Sequence, residues 1–234
     1  MFTPGIRVRV AGQFACFTRP ETKVERFTYP VMTPSAARNV LDSICWRPEM
    51  RWIVTRITVL KPIRTMSILR NEVQSKLSPG AVKKWMRDPA QFAPIIAGAG
   101  QGTDGTPRNT TLLCDVAYWI DAYPHVFDTS GDNTPAKYVA MMQRRVDKGQ
   151  CFQRPYLGCR EFAAEFSVPL PEDKPIAESM EIGRMLYDIA FLPEGNRAAF
   201  FDAKLANGVL ETIPEQVLPE ETRRAEVLQC SYKR

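Results

Sequence analysis

Two segments of this chain open with the same pair of residues, a threonine followed by a proline, and each lies between runs rich in β-branched residues. The first covers residues 33–44, with Thr33 or Ser35 as its N-cap, and the second covers residues 134–148 and stops at Gly149. Threonine caps the free N–H groups of a helix start, and proline suits the first turn. The chain therefore contains two helices set between strands, which restricts it to folds that mix both elements.

The strand candidates are runs in which apolar and polar residues alternate or β-branched residues concentrate. They cover residues 6–10, 51–63, 110–122, 157–168, 185–191 and 199–213, the last turning at Asn207-Gly208. Residues 64–109 show no clear period and include a glycine-rich loop at 98–107. That loop lacks the Gly-Lys-Ser/Thr ending of a phosphate-binding P-loop, so we interpret it as a surface loop.

The order of these elements predicts the fold class. Strand, helix, strand, insertion, strand, helix, strand is the order of an α+β, ferredoxin-like (RRM-like) βαββαβ domain with an inserted loop or hairpin. Pro169, Pro171 and Pro175 then form a linker-like stretch before further strand-like segments. We therefore predict two domains: residues 1–168, which are ferredoxin-like, and residues 169–234, a small β-rich C-terminal domain with a charged tail.

Composition limits the available chemistry. No apolar run approaches the roughly 20 residues of a membrane span, and the first residues lack a signal-peptide core, so we expect a cytoplasmic protein without a membrane partner. The six cysteines form no Cys-x-x-Cys pair and the chain has one histidine, His125. We expect no metal and no cofactor. The net charge of +5 is compatible with a polyanionic partner without requiring one.

Six short motifs occur in the order found in one protein family. They are residues 14–26, residues 31–38, Trp46-Arg47-Pro48, Val59-Leu60-Lys61-Pro62-Ile63, Arg70-Asn71-Glu72-Val73 and Leu157-Gly158-Cys159-Arg160-Glu161-Phe162. They resemble the Cas5 subunit family of type I-C CRISPR systems (the c or d subtype), which belongs to the RAMP superfamily. Several collinear motifs are more specific than any one of them.

The resemblance implies a RAMP-type ferredoxin-like domain followed by a small β-rich domain. It implies an endoribonuclease that binds the repeat hairpin of precursor CRISPR RNA, cuts at its base without metal and retains the 5′ handle. The implied partners are the CRISPR RNA (crRNA) and the backbone and large subunits of the type I-C Cascade complex. Target DNA is reached indirectly, through that complex.

The family pattern resembles a tyrosine, a lysine and a histidine that act together on the RNA. Lys137 matches the lysine, whereas Tyr138 stands at the histidine position and Cys45 at the tyrosine position. Lys137 can place a charge on the phosphorane. Tyr138, with a reference pKa of about 10, is a poor base, and Cys45, at about 8.5, is an unusual one. Without the resemblance, the same three residues have a structural interpretation: Lys137 is a solvated lysine, Tyr138 a half-buried aromatic residue and Cys45 a core cysteine.

Basic and polar residues inside the motifs are the predicted RNA contacts. They are Arg19, Lys23, Arg26, Arg70, Asn71 and Arg160. Contacts from Arg and Lys to phosphates give affinity and register. The alternative is ordinary surface charge, and Arg160 can instead form an ion pair with Glu161.

Two functions from different classes remain open. The first is an endoribonuclease that processes the CRISPR repeat and stays bound. The second is a non-catalytic assembly subunit that holds the crRNA 5′ handle. The replacement of the family's tyrosine and histidine by Cys45 and Tyr138 favours this second function. A third, a generic RRM-like RNA binder outside CRISPR, is disfavoured because the sequence lacks the clustered aromatics of an RRM platform.

Overall fold

The computed structural model describes residues 5–22, 24–96, 98, 104–192 and 195–212. The elements in these ranges are β1 (Ile6–Ala15), β2 (Arg26–Phe27), α1 (Pro34–Ile44), β3 (Met50–Val59), β4 (Thr65–Val73), α2 (Pro79–Arg87), β5 (Gly105–Val126), α3 (Pro135–Asp147), β6 (Glu165–Ser167), β7 (Met180–Leu192), β8 (Gly195–Ala206) and β9 (Val209–Glu211). The fold is a mixed α/β one. Within the described ranges, no helix has the length and apolar character needed to cross a membrane.

One large sheet carries the fold. Its main path runs β6-β1-β5-β3-β9-β8-β7, and each pairing along that path is antiparallel. The long strand β5 is central, because it pairs with β1 on one edge (Ile6 opposite Ala122) and with β3 on the other (Ile57 opposite Ile120). The first half of β5 extends beyond this body and pairs with β4 and, in parallel, with β2.

The helices α1 and α3 pack against the sheet and against each other. Both predicted caps are confirmed. Thr33 Oγ1 accepts the N–H of Ala36 at 3.3 Å, and Thr134 Oγ1 accepts the N–H of Lys137 at 3.3 Å. The core lies between these helices and the sheet, and includes Leu41. Burying a side chain of that size contributes about 1.5–3 kcal/mol, so the apolar face of α1 fixes the helix on the sheet.

The predicted strand at residues 157–168 is wrong over most of its length. The structure describes every residue of this range, and only the three residues of β6 form a strand. Gly158 has a φ of +83°, and a Cβ there would lie 1.9 Å from the Cys16 carbonyl oxygen. The N–H of Phe162 then bonds the carbonyl of Cys159 at 3.0 Å. This stretch is a turn pressed against the end of β1, and its apolar residues pack without a strand.

The insertion at residues 64–109 contains β4 and α2, which the sequence did not reveal. Within the described structure α2 has no buried residue: Val82, Trp85 and Met86 recur at helical spacing but are exposed or half-buried, so this face covers no core. The predicted strand at residues 110–122 is confirmed and is longer at both ends. Of the glycine-rich loop predicted at 98–107, residues 99–103 lie outside the described residues, and residues 105–107 belong to β5 instead.

The C-terminal strands form a hairpin whose last turn was predicted from sequence. Asn207 and Gly208 have φ values of 48° and 75°, and β9 follows them directly. Positive φ at both central residues is what a tight hairpin turn requires. Since β9 pairs with β3, the hairpin continues the same sheet. The division into two domains stays a prediction, and residues 213–234 lie outside the described range.

A buried ionic cluster joins α1, β3 and β7. Arg38 lies 2.8 Å from Asp188 and 2.6 Å from Asp42, and Arg51 also binds Asp188, whose exposed fraction is 6%. Burial raises the pKa of Asp188, but the charges of Arg38 and Arg51 outweigh it and lower the pKa to about 2. This carboxylate therefore holds the C-terminal hairpin to the first helix.

Candidate functional site

The first turn of α3 positions Lys137 and Tyr138, two of the predicted catalytic residues. The side chain of Thr134 accepts the Lys137 N–H at 3.3 Å, and its carbonyl accepts the Tyr138 N–H at 3.4 Å. The two neighbouring side chains then take different environments. The Lys137 side chain is 34% exposed, whereas Tyr138 is 1% exposed. The capped turn therefore presents the lysine to solvent and buries the tyrosine beside it.

The ammonium group of Lys137 is held by two side-chain oxygens that precede α3. Its Nζ lies 2.8 Å from Asp132 Oδ1 and 3.2 Å from Asn133 Oδ1, and 5.7 Å from the centre of the Tyr138 ring. The hydrogen bond to Asp132 raises the pKa of Lys137 above its usual value. The group is therefore a cation at neutral pH, suited to stabilising negative charge and unable to accept a proton.

The hydroxyl of Tyr138 already has a partner. It donates to Asn133 Oδ1 at 2.8 Å. Burial, followed by the negative charge of Glu49, raises the pKa of Tyr138 above its usual value. The hydroxyl is therefore protonated at neutral pH, where it can donate a hydrogen bond but cannot serve as a base.

Cys45 lies at the C-terminal end of α1, inside the core. It is 0% exposed, its N–H bonds the Leu41 carbonyl at 2.8 Å, and its own carbonyl accepts the indole N–H of Trp52 at 2.8 Å. Burial raises the pKa of the Cys45 thiol. A buried neutral thiol is a weak proton acceptor, because the thiolate is the reactive form. The catalytic role of Cys45 stays a prediction, and its surroundings do not favour it.

Sequence reasoning missed Asp132, Asn133 and Glu49. Asn133 accepts from both Lys137 and Tyr138, and the charge of Glu49 acts on the pKa of both. One carboxylate oxygen of Glu49, Oε2, is buried without a hydrogen-bond partner among the described residues. The Asp-Asn-Thr-Pro order before α3 is a helix-start signal from which the two polar residues could have been found. Glu49 gives no comparable signal.

Two of the predicted RNA-binding arginines meet in an alternating ionic cluster. Arg26 lies 3.3 Å from Glu72 and 3.7 Å from Glu161. Arg70 binds Glu161 and lies 3.8 Å from Glu72. The Nε and Nη2 atoms of Arg70 have no hydrogen-bond partner among the described residues, so its guanidinium keeps unused donors. We call these four residues the arginine–glutamate cluster, in which two positive charges are balanced by two negative ones.

The alternative pairing of Arg160 with Glu161 does not occur, because Glu161 binds the two arginines of the cluster instead. Arg160 is exposed and has no ion pair within the described part of the chain. A charged side chain without a carboxylate neighbour is available to a phosphate without first breaking a contact.

The remaining RNA candidates are separated. The guanidinium of Arg19 lies 4.4 Å from the centre of the Tyr29 ring. Asn71 follows Arg70 on β4 and is exposed, so the two side chains point to opposite faces of the strand. Lys23 lies outside the described residues. The structure thus brings Arg26 and Arg70 together, and the roles of all six candidates stay predictions.

Comparison with known proteins decides the family. A model of the CRISPR-associated protein family Cas_Cas5d, described as CRISPR-associated protein (Cas_Cas5), matches residues 5–209. The chain belongs to the Cas5d family. The family expected from the motifs is therefore confirmed, and the matched range of the Cas5d model includes the start of α3 and the arginine–glutamate cluster.

Two curated Cas5d relatives match nearly their full length. The one from Mannheimia succiniciproducens is 43% identical over 220 residues, covering 89% of this chain and 95% of the relative. The one from Thermus thermophilus is 37% identical over 229 residues, covering 90% and 92%. Both are named CRISPR pre-crRNA endoribonuclease Cas5d.

Two solved structures share the fold of this Cas5d chain. A crystal structure of a CRISPR-associated protein gives a TM-score of 0.60 at 24% identity and covers 90% of this chain and 92% of its own. The functionally uncharacterized protein SMU1763c from Streptococcus mutans gives a TM-score of 0.61 at 18% identity, with 92% and 94% covered. At these identities the likeness concerns the fold alone.

Proposed function

We propose that this Cas5d-family chain binds the repeat hairpin of precursor CRISPR RNA, cleaves it without a metal ion and stays bound to the 5′ handle. The observation that carries the proposal is the Lys137 ammonium, which is oriented by Asp132 and Asn133 and is partly exposed. The names of the two curated relatives support the same substrate and reaction.

In the proposed reaction the RNA supplies its own nucleophile. The 2′-oxygen attacks the adjacent phosphorus and its proton passes to water, since neither Lys137 nor Tyr138 can accept a proton at neutral pH. The bond from phosphorus to the 5′-oxygen then breaks, and that oxygen takes up a proton from water. The products are a 2′,3′-cyclic phosphate and a 5′-hydroxyl. Lys137 stabilises the charge that develops on the phosphorane oxygens.

A second candidate function is a non-catalytic subunit that holds the 5′ handle of a guide RNA cut by another protein. The observation that favours it is the burial of both replaced positions. The Tyr138 hydroxyl is bonded to Asn133, and Cys45 lies in the core, so neither side chain faces solvent. RNA binding through the basic side chains remains under this alternative, while Lys137 contributes affinity rather than rate.

We further propose that β1, α1, β3, β5, α3 and β6 form a ferredoxin-like domain, with residues 169–234 as a small β-rich C-terminal domain. The antiparallel order β6-β1-β5-β3, with a helix after β1 and another after β5, supports this. The same proposal places the chain with the backbone and large subunits of a type I-C Cascade, which contacts target DNA.

The deciding experiment is to incubate the purified protein with its cognate repeat RNA in excess EDTA. We expect a single cut whose upstream product ends in a 2′,3′-cyclic phosphate. Binding without any cut, with or without added Mg²⁺, would replace the nuclease by the assembly subunit. A cut that requires the added cation would overturn the metal-independent mechanism.

A further inference from the structure

A pocket of about 200 Å³ opens beside the first turn of α1. Its walls come from four segments: the loop after β1, the first half of α1 with its cap, the stretch that contains Gly158, and Leu186 of β7. The first three of these segments carry motifs of the family resemblance, and neither proposed function uses the place where the segments meet. Residues far apart in sequence thus build one concave site.

The polar groups in this pocket suit the edge of a planar, hydrogen-bonding ring. Thr18, Ser35 and Asn39 line it. The Asn39 side chain has no hydrogen-bond partner among the described residues, and its amide offers a donor and an acceptor side by side. Such an amide can pair in two-point fashion with a nucleobase edge. Ser35 Oγ lies 3.1 Å from Thr33 Oγ1, which leaves it further bonding capacity.

The size of the pocket and its aromatic wall limit the occupant. Tyr156 is one of the lining residues and is half-buried. Unpaired RNA bases are commonly held by stacking on aromatic side chains. The volume lies below the roughly 300–1,000 Å³ of pockets that enclose drug-sized ligands, so it accommodates one ring system rather than a whole nucleotide.

A helix N-terminus lies at the pocket, and two arginines are close in sequence to its lining residues. The N-terminus of α1, capped by Thr33, lies at the pocket and carries a partial positive charge. Arg19 directly follows Thr18, and the exposed Arg160 lies two residues after Gly158. The partial positive charge of this helix N-terminus favours an RNA strand, whose phosphates are anionic, over a neutral ligand.

We propose that this pocket takes one unpaired nucleobase of the precursor CRISPR RNA, with Asn39 bonding its edge and Tyr156 stacking on its ring. The inference rests on the proposed RNA-binding function and holds whether or not the chain cuts the RNA. It assigns base-specific readout to a site apart from the start of α3, and gives Asn39 and Tyr156 a role in binding.

The test is an abasic scan of the repeat RNA. Each unpaired nucleotide in turn is replaced by an abasic one, and the Kd is measured for the wild type, for Asn39→Ala and for Asn196→Ala, an exposed asparagine on β8. We expect one abasic position to weaken wild-type binding by about 5- to 150-fold, the range for loss of one stacked base. Asn39→Ala should bind the intact RNA more weakly than the wild type does, and its Kd should not change further when that position is abasic. Asn196→Ala should match the wild type on every RNA.

A Tyr156→Leu variant, measured in parallel, should lose sensitivity at the same position, and a thermal melt of each variant confirms folding. Two results would overturn the proposed base pocket while leaving RNA binding intact. In the first, Asn39→Ala loses the same factor in affinity on every RNA; in the second, no abasic position weakens binding by the wild type. Failure of the wild type to bind the intact repeat RNA would overturn both the pocket and the proposed function.

Discussion

The Lys137 ammonium and the Tyr138 hydroxyl donate to the same atom, Asn133 Oδ1, at 3.2 and 2.8 Å. An amide oxygen has two lone pairs, so Asn133 satisfies both donors at once. The exposed cation and the buried phenol beneath it are thus coupled through one side chain. Of the three predicted catalytic residues, Lys137 alone combines a charge with access to solvent in the described structure.

Replacing Lys137 by alanine should therefore nearly abolish cleavage. Removing an oriented group that stabilises the transition state costs about 100- to 1,000-fold in rate, while hairpin binding should fall only slightly. The measurement is a single-turnover cleavage rate beside the Kd for the same RNA. Lys148→Ala, at the other end of α3, is the matched control and should cut at the wild-type rate. A normal rate for Lys137→Ala would place the site elsewhere.

The shared acceptor also predicts an asymmetric effect on stability. Asn133→Ala leaves the buried Tyr138 hydroxyl without a partner, which should lower the free energy of unfolding by about 1–3 kcal/mol. Tyr138→Phe removes the donor while Asn133 keeps Lys137, and should cost about 0.5–1.5 kcal/mol. Urea unfolding of both single variants and the double variant gives the coupling. Costs that simply add would show that the 2.8 Å bond contributes nothing.

The arginine–glutamate cluster predicts that acidic side chains restrain RNA binding. Glu72→Gln and Glu161→Gln should each raise affinity by up to about fivefold, because an exposed ion pair is worth up to about 1 kcal/mol. Arg26→Ala should reduce the slope of log K against log salt by about 0.7–0.9, the loss of one phosphate contact. Glu211→Gln, which removes a similar partner from Arg56, controls for net charge. If all three glutamine variants gained the same factor in RNA affinity, the gain would come from the change in net charge and not from the cluster.

Acid stability should depend on Asp188. Its folded pKa of about 2 lies below the unfolded value of about 3.9, so its contribution, on the order of 2–3 kcal/mol, is complete above about pH 5 and is lost as pH falls through 2. Asp188→Asn also leaves Arg38 and Arg51 without their shared carboxylate, which should cost about 3–5 kcal/mol at neutral pH.

Free energies of unfolding measured between pH 2 and 6 test whether the stabilisation by Asp188 is lost as pH falls. The Asp188→Asn curve should be flatter than the wild-type curve in that window. Asp42→Asn is the comparison, because burial raises the pKa of Asp42 and gives it the opposite dependence. A wild-type slope that survives in Asp188→Asn would contradict the assignment.

Local signals explain which elements were predictable. The helices α1 and α3 and the Asn207-Gly208 turn follow from residues adjacent in sequence, and all three were predicted. The residues 157–162 read as a strand, but the close approach of Gly158 to the Cys16 carbonyl makes them a turn. That approach depends on two segments more than 100 residues apart, which a local pattern does not encode.

The candidate site likewise contains residues that the sequence could locate and contacts that only the folded chain reveals. The family resemblance located Lys137, and its neighbours Asp132 and Asn133 lie within five residues. By contrast, the bonds between Arg26, Glu72 and Glu161 join three segments separated by many residues, so their charges alone could not reveal them. The helix of the insertion was missed because its nine residues are fewer than the window of about 11–18 residues over which a helical apolar period is recognised, and it covers no core.

The cluster around Asp188 bears on how such chains can be recombined. A chimera that joins residues 1–168 of this chain to the C-terminal strands of a relative would need an acid at the position of Asp188, because Arg38 and Arg51 would otherwise be buried with no counter-charge from the hairpin. The two halves of the molecule are thus not interchangeable parts. One carboxylate sets which C-terminal halves are compatible with this first half.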